Sequence, residues 1–239
     1  MTRPLYLEDA YQTEAVGVVV AHTDDGGIVL DQSLFYATSG GQPGDVGTLS
    51  WSDQVVSITT THKGDAGTFI LVPSEDGILP DIGQSVVQRI DWQRRYAHMR
   101  MHTALHLLSV VIPLPVTGGA ITADKGRLDF DMHEPPAEKE ALSDTINSII
   151  ENDFEITEQW ITDEELDANP NLVKTMSVSP PRGAGRIRLV RIGNAQNQID
   201  LQPCGGTHVV KTREIGRVRI SKIEKKGKQN RRVHLVFDA

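Results

Sequence analysis

Two pairs of side chains in this sequence have the chemistry and the spacing of metal ligands. His102 and His106 are four residues apart, and Cys204 and His208 repeat that spacing about a hundred residues later. In a helix, residues i and i+4 share one face, so the first two imidazoles would point the same way. Three imidazoles and a thiolate suit a tetrahedral zinc ion. The glycines between Cys204 and His208 favour a tight turn that aims both side chains at one ion.

Other interpretations of the same side chains stay open at this point. A lone cysteine is most often a small core residue, and Cys204 could instead be a nucleophile with a histidine as its base. Three complementary imidazoles favour ligation. His98, one turn before His102, is interpreted as a surface residue or one lying behind the ligands. The sequence leaves open whether His208 closes the site or a water takes its place.

Composition limits the class of protein. The 239 residues are 38% hydrophobic and 23% charged, which is typical of globular proteins with one large or two modest domains. No apolar run approaches the ~18–20 residues that span a bilayer, and the opening residues lack the apolar segment of a signal peptide. A single cysteine excludes an internal disulfide. We therefore expect a cytoplasmic protein with no membrane partner and no obligate protein partner.

Charge is distributed unevenly along the chain. The formal net charge is −8, but residues 182–232 contain fourteen basic and three acidic side chains. This stretch therefore carries +11 and the remainder −19. Such asymmetry is typical of a basic face directed at a polyanion, although solvated strands with basic outer faces would look the same.

The pattern of apolar clusters and turns predicts two domains. Short apolar clusters separated by glycine-rich turns predict a small β-barrel over residues 1–90. Helical spacing over 93–112 predicts a helix ended by Pro113, and Pro135 and Pro136 would open a second helix reaching Phe154. A short helix is expected near Asp163, and strands at 187–192, 199–201, 218–223 and 233–237. The expected fold class is α+β, with a zinc-bearing helix packed on a sheet in a second domain, 91–239.

Four stretches of the chain resemble one known family. Residues 96–108 (YAHMRMHTALHLL) and 200–209 (DLQPCGGTHV) resemble the two zinc motifs of the alanyl-tRNA synthetase editing domain. They are still more similar to the free-standing alanyl-tRNA editing proteins, the AlaX family. Residues 35–47 (FYATSGGQPGDVG) resemble that family's glycine-rich motif and 222–232 (KIEKKGKQNRR) its basic closing segment. Their order spans nearly the whole chain and matches the medium-length type.

The resemblance implies a function and a set of roles. It implies a translation-factor-like barrel followed by a zinc-dependent deacylase that removes serine or glycine from mischarged tRNA for alanine. His102, His106, Cys204 and His208 would hold the zinc, and a water at or beside the zinc would attack the ester. The threonine, glutamine and glutamate usual in the synthetase editing domains are replaced here by Leu105, Val116 and Thr38. The first change is familiar among the free-standing forms, and all three leave the amino-acid pocket open.

Further residues are candidates for contacts with the substrate. Thr103 and Thr207 stand beside ligand positions, where a hydroxyl could distinguish serine from alanine. Gly40 and Gly41 serve primarily as turn residues and could also contact the tRNA end through backbone N–H groups. The side chains expected to meet tRNA phosphates are Lys225, Lys226, Lys228, Arg231 and Arg232.

Two other functions fit some of these features. A zinc-stabilised RNA-binding module without turnover would have a closed site. A metal-dependent hydrolase of small esters would not need the basic C-terminal face. Deacylation of charged tRNA, with and without chelator, distinguishes all three.

Overall fold

A computed structural model describes residues 1–134, 138–174 and 185–238. The chain forms two compact units, Met1–Tyr96 and Ala97–Ala239, and their boundary falls inside the first helix, α1 (Trp92–Val111). Helices and sheets are mixed and the first unit contains a closed barrel, as the sequence predicts. Within the described ranges, none of the helices has the length and apolar character that crossing a bilayer requires.

The first unit is built around a six-stranded antiparallel barrel. Its strands are β2 (Glu14–His22), β3 (Ile28–Leu30), β5 (Gly47–Trp51), β6 (Gln54–Lys63), β7 (Phe69–Pro73) and β8 (Ser85–Ile90). Two short strands, β1 (Arg3–Pro4) and β4 (Gln32–Ser33), pair in parallel beside it. The closed order is β2-β3-β7-β6-β5-β8. Side chains alternate across each strand, so residues such as Leu49, Val56 and Leu71 fill the interior.

The glycine-rich segment makes one tight turn and two close backbone contacts. Gly40 and Gly41 have φ of 56° and 86°, which glycine adopts at little cost. Gly44 and Gly47 do not have positive φ, and glycine is needed there for a different reason. A Cβ on Gly44 would lie 2.2 Å from the Thr61 carbonyl oxygen, and one on Gly47 would lie 2.0 Å from the Arg89 carbonyl oxygen.

The second unit contains two antiparallel sheets. The larger, ordered β14-β15-β10-β9, consists of β9 (Val116–Ile121), β10 (Lys125–Asp131), β14 (Val218–Lys226) and β15 (Asn230–Phe237). The smaller, β11-β12-β13, consists of β11 (Ile156–Ile161), β12 (Ile187–Gly193) and β13 (Gln198–Pro203). The strands expected near residues 187, 199, 218 and 233 are thus confirmed.

The helices largely follow the sequence-based expectations. α1 begins and ends one residue before the predicted bounds. The second helix, α2, is Lys139–Glu151; it ends before Phe154, because Asp153 adopts φ of 55°. Pro135 and Pro136, expected to open α2, lie outside the described residues. The short helix α3 (Asp163–Ala168) begins at a capping box made by Thr162 and Glu165.

Arg95, in the first turns of α1, is held by a buried ion pair with Asp45. Its guanidinium also donates to the carbonyl oxygens of Ala10 and Leu34, at 3.0 and 2.6 Å. Asp45 also accepts the backbone N–H of Tyr36 at 2.7 Å. These bonds compensate the desolvation of both charges and fix the start of α1 within the first unit.

We expect Arg95→Met to destabilise the first unit by about 3–5 kcal/mol, because it leaves the Asp45 carboxylate buried without its cation. Arg89→Met is the matched control, since the Arg89–Glu14 side chains are 60% and 53% exposed, against 0% and 2% for Arg95 and Asp45. Its cost should stay below about 1 kcal/mol. Urea unfolding measures both; similar small losses would contradict the role given to Arg95.

Candidate metal centre

The helix α1 supplies two of the four candidate ligands. His102 and His106 are one turn apart on this helix, and their ring centroids are 5.3 Å apart. Both side chains are buried, as are those of Ala104, Leu105 and Leu108 on the same helix. The i, i+4 spacing therefore produces the shared face that the sequence predicts.

The strand β13 and the turn after it supply the other two. Side chains alternate along a strand, so Asp200, Gln202 and the following Cys204 project to one side of the small sheet. The chain then turns through Gly205 and Gly206 and brings His208 back beside Cys204. The Cys204 thiol sulfur accepts the backbone N–H of Gly206 at 3.4 Å, which helps to hold this turn.

These two segments meet and form one cluster. The candidate ligand atoms of His102, His106, Cys204 and His208 all lie within 4.8 Å of one another. The Cys204 Sγ atom is 3.5 Å from Nε2 of His102 and 3.2 Å from Nε2 of His208. Four donors so close together, three of them buried imidazoles, could hold a single divalent metal ion.

A buried network of polar side chains fixes Nδ1 of His106. Nδ1 of His106 is 2.9 Å from Oδ2 of Asp200, and Oδ1 of Asp200 pairs with Lys174. Gln202 donates from Nε2 to the same Asp200 Oδ2 at 2.7 Å. A carboxylate on Nδ1 favours the tautomer that leaves Nε2 free to ligate.

The hydroxyl of Thr103 holds Nδ1 of His208, as Asp200 holds Nδ1 of His106. The Thr103 hydroxyl donates to the Met99 carbonyl oxygen at 2.9 Å, so Nδ1–H of His208 must donate to the hydroxyl oxygen, 3.1 Å away. The backbone N–H of Val209 donates to that oxygen too, at 3.3 Å. With one donor and two acceptor positions occupied, the Thr103 hydroxyl orients His208 and its ligand nitrogen.

The pKa shifts prepare this cluster for a cation. Burial opposes ionisation of the Cys204 thiol, but its electrostatic contact with His102 and its hydrogen bonds to the surrounding imidazoles outweigh burial and lower the pKa well below its ordinary value. Burial, together with the charge of His102, lowers the pKa of His208 to about 3. Thiolate and neutral imidazole are the protonation states that ligate metals.

The pKa values of His106 and Asp200 shift in opposite directions, because the two side chains form an ion pair. Burial disfavours the charged form of each, yet their mutual contact outweighs it. The pKa of His106 rises to about 9, with help from Cys204, and that of Asp200 falls to about 2, with help from Lys174. The cluster therefore attracts a positive charge, and a bound metal ion would replace the His106 proton.

Arg188 clamps the turn that carries Cys204 and His208. From its position on β12, Nη1 donates to the carbonyl oxygens of Cys204 and Gly206, at 2.9 and 2.8 Å. Nη2 pairs with Glu158 on β11. A rigid guanidinium fork suits these simultaneous contacts, and they fix the direction in which the thiol points.

Comparison with known proteins identifies the family. Residues 187–234 match the model of the threonyl and alanyl tRNA synthetase second additional domain, and residues 8–94 that of class II (A) tRNA synthetases. Alanyl-tRNA editing protein AlaX-M of Methanosarcina acetivorans is 33% identical over 247 residues, which cover 99% of each chain. The chain belongs to the AlaX family.

Two further relatives, an AlaX-M protein and a synthetase, show how the chain compares with a protein of similar length and with a longer one. AlaX-M of Saccharolobus solfataricus is 33% identical over 239 residues, which cover 98% of this chain and 98% of that protein. Alanine–tRNA ligase of Pyrobaculum arsenaticum is 33% identical over 94% of this chain but only 25% of its own length. The chain thus matches AlaX-M proteins end to end and a quarter of a synthetase.

The remaining predicted site residues of this AlaX chain lie in three places. Thr207 is buried within the turn, while Gly40 and Gly41 are exposed in the barrel unit. Lys225, Lys226 and Lys228 are exposed around the end of the β14–β15 hairpin.

The guanidinium groups of Arg231 and Arg232, in the basic closing segment, make hydrogen bonds within the protein. Arg232 makes two hydrogen bonds to Asp129, at 2.7 and 2.8 Å. Arg231 is buried and donates to the His133 carbonyl oxygen. These contacts arise because β15 lies beside β10 and its alternate side chains face the core.

Sequence reasoning did not single out Asp200, Lys174 or Arg188 as parts of the site. A signal for Asp200 was present, since residues 200, 202 and 204 alternate along one predicted strand and therefore share a face. Lys174 and Arg188 carry no such signal. Their contacts depend on strand pairing and on the path of the chain, which sequence spacing does not show.

We expect Arg188→Met to weaken binding of a divalent metal by about 10- to 100-fold, the usual effect of losing the residues that hold ligands in place. Arg191→Met is the matched control, because Arg191 lies on the same strand and bonds to Gln159. Chelator competition with cobalt, whose thiolate absorption reports ligation by Cys204, measures affinity and geometry together. Equal affinities and spectra for the two variants would exclude the clamp.

Proposed function

We propose that the chain is a trans-acting, zinc-dependent hydrolase that deacylates mischarged tRNA for alanine, with serine as the principal amino acid removed and glycine as a second. The observation that carries the proposal is the His102, His106, Cys204 and His208 cluster, in a chain that matches AlaX-M proteins over its whole length. We assign the deacylase reaction to residues 91–239 and a β-barrel domain to residues 1–90. We expect the protein to be located in the cytoplasm.

Zinc is the metal that the donor set favours. Three imidazoles and one thiolate are borderline-soft ligands, whereas magnesium and calcium prefer oxygen ligands. Asp200 and Thr103 both bond the Nδ1 atoms of their histidines and leave Nε2 for the metal. When bound, zinc would supply a Lewis acid and would lower the pKa of water.

The residues of the chain have separate tasks in the reaction. Water adds to the ester carbonyl, the bond from that carbon to the ribose oxygen breaks, and free amino acid and tRNA leave. His106 is held by Asp200 and His208 by Thr103, so both imidazoles keep their orientation through this exchange. Arg188 keeps the Cys204 thiolate in place. Burial of the cluster excludes bulk water and strengthens each of these contacts.

Selection of serine needs a hydrogen bond that alanine cannot make. A buried polar group left without its partner costs about 1–3 kcal/mol, which is roughly 5- to 150-fold in rate. Thr103 and Thr207 were the two candidates from the sequence. The contacts of Thr103 with Met99, Val209 and His208 occupy its hydroxyl, so its proposed role is to orient His208. Thr207, buried in the turn beside His208, stays the sequence-based candidate for this discrimination.

The tRNA contact is assigned to the lysines of the β14–β15 hairpin. Lys225, Lys226 and Lys228 are exposed, whereas Arg231 and Arg232 are bonded within the protein. Exposed lysines meet phosphates without reading bases. Gly40 and Gly41, exposed in their turn, are proposed as a further contact with the tRNA end.

We expect metal removal to lower the deacylation rate of seryl-tRNA for alanine by about 100-fold or more, and added zinc to restore it. Cys204→Ser should show the same loss, with reduced zinc content by elemental analysis. An apo protein that works at the holoenzyme rate would exclude zinc from the reaction. Binding of tRNA without turnover would favour the RNA-binding module, and hydrolysis of small esters alone the generic hydrolase.

We expect simultaneous replacement of Lys225, Lys226 and Lys228 by Gln to weaken tRNA binding and to reduce the slope of log K against log salt by about 2–3. The control replaces Lys139, Lys211 and Arg217 by Gln, which removes equal charge from exposed positions outside the hairpin. Filter binding at several salt concentrations measures both slopes. The same slope change in both variants would contradict a local contact.

A further inference from the structure

The small sheet carries one row of side chains that leads from the metal cluster to the protein surface. On β11 and β12, Trp160 and Arg188 are directly paired. On β12 and β13, Leu189 pairs with Pro203, and the Cys204 N–H donates to the Arg188 carbonyl oxygen at 3.1 Å. Trp160, Arg188 and Cys204 therefore lie in one row across three strands. Cross-strand partners project to the same face.

The outer member of this row is an exposed indole. Trp160 is 46% exposed, and among the described residues it is the only aromatic side chain in the exposed class. The other two tryptophans, Trp51 and Trp92, are partly buried in the barrel unit. An aromatic ring of this size normally gains from burial, so its exposure beside a functional site suggests that it stacks with a ligand.

The distance from Trp160 to the cluster suits a nucleotide. Neighbouring strands are about 4.8 Å apart, so the backbones at Trp160 and Cys204 are separated by about 10 Å. In an aminoacyl-tRNA, the reacting ester is carried by the ribose of the terminal nucleotide, with the base on the other side of that sugar. A carbonyl at the cluster would therefore place the base toward the outer end of the row.

The middle of the row is rigid. The Arg188 guanidinium is fixed by two backbone carbonyl oxygens of the turn and by Glu158. Glu158 lies two residues before Trp160 on β11, so it projects on the same face. The spacing between the indole and the cluster is thus set by the sheet and by an ion pair whose guanidinium is buried, which is the rigidity that a stacking surface needs.

We propose that Trp160 is a binding residue that stacks on the terminal adenine of the tRNA and so places the ester at the metal cluster. The proposal rests on the function proposed above. Unpaired bases at nucleic-acid ends are commonly held by aromatic stacking. Stacking needs no base-specific hydrogen bond, so Trp160 would position any tRNA end and would not select tRNA for alanine.

The test is a comparison of two enzymes on two substrates. Wild type and Trp160→Ala are assayed on seryl-tRNA with an intact terminal adenosine and on the same tRNA lacking only the terminal base. On the intact substrate, kcat/KM should fall by about 10- to 100-fold in the variant. On the abasic substrate the two proteins should be equal, because the partner of the indole is already absent.

Two further variants separate stacking from general damage. Trp160→Phe keeps an aromatic face and should stay within about threefold of wild type. Leu114→Ala removes another exposed apolar side chain of the same unit and should have no effect on either substrate. Addition of the trinucleotide CCA should quench tryptophan fluorescence in wild type but not in Trp160→Phe.

The outcomes distinguish the two proposals. If the wild type deacylates neither substrate, the proposed function fails. If it deacylates the intact substrate and Trp160→Ala loses the same factor on both, the indole does not meet the terminal base and the stacking proposal is overturned. A folded Trp160→Ala with unchanged kcat/KM would overturn it as well and would leave an apolar contact with another protein as the use of this surface.

Discussion

Asp200 connects the chemistry of the cluster to the fold around it. Its carboxylate contacts His106 on one side and Lys174 on the other, in a buried position where an isolated charge would be costly. The same contacts set the orientation of His106, so the group that balances charge in the interior also aims a ligand nitrogen. Removal of either partner would leave a buried charge, which ties the stability of this region to the geometry of the site.

The close packing of α1 on the large sheet is the second constraint. A Cβ on Gly126 would lie 2.9 Å from Cγ of Met101 and 3.1 Å from Cδ1 of Leu105. A glycine in β10 therefore allows the helix to approach at the turn that carries His102 and His106. On α2, Asn147 makes two hydrogen bonds with the backbone of Val218, so buried polar groups help to fix this unit.

The basic side chains of the C-terminal segment fall into two structural groups that composition does not separate. Alternate side chains of β15 face the core or pair with neighbouring strands, and the guanidinium groups of Arg231 and Arg232 are bonded there. Lys225, Lys226 and Lys228, at the end of the hairpin, are exposed. A charge count over the whole segment therefore overstates the number of exposed basic side chains.

What the sequence by itself determined is the part that depends on local spacing. Helical periodicity predicts α1 and the shared face of His102 and His106, and strand-length apolar clusters predict the barrel and the strands after residue 187. These patterns can be recognised in the sequence because the direction of each side chain follows from the period of the helix or strand. The family resemblance rests on the same local motifs, and the division of function between residues 1–90 and 91–239 stays a prediction.

Only the tertiary structure decided which distant groups meet. Cys204 lies 98 residues after His106 in the chain, and its thiol reaches the imidazoles because α1 lies against the face of the small sheet that carries Asp200. The clamp by Arg188, the pairing of Lys174 and the row that ends at Trp160 depend on strand register. Register is a contact between segments, so no spacing within one segment could reveal it.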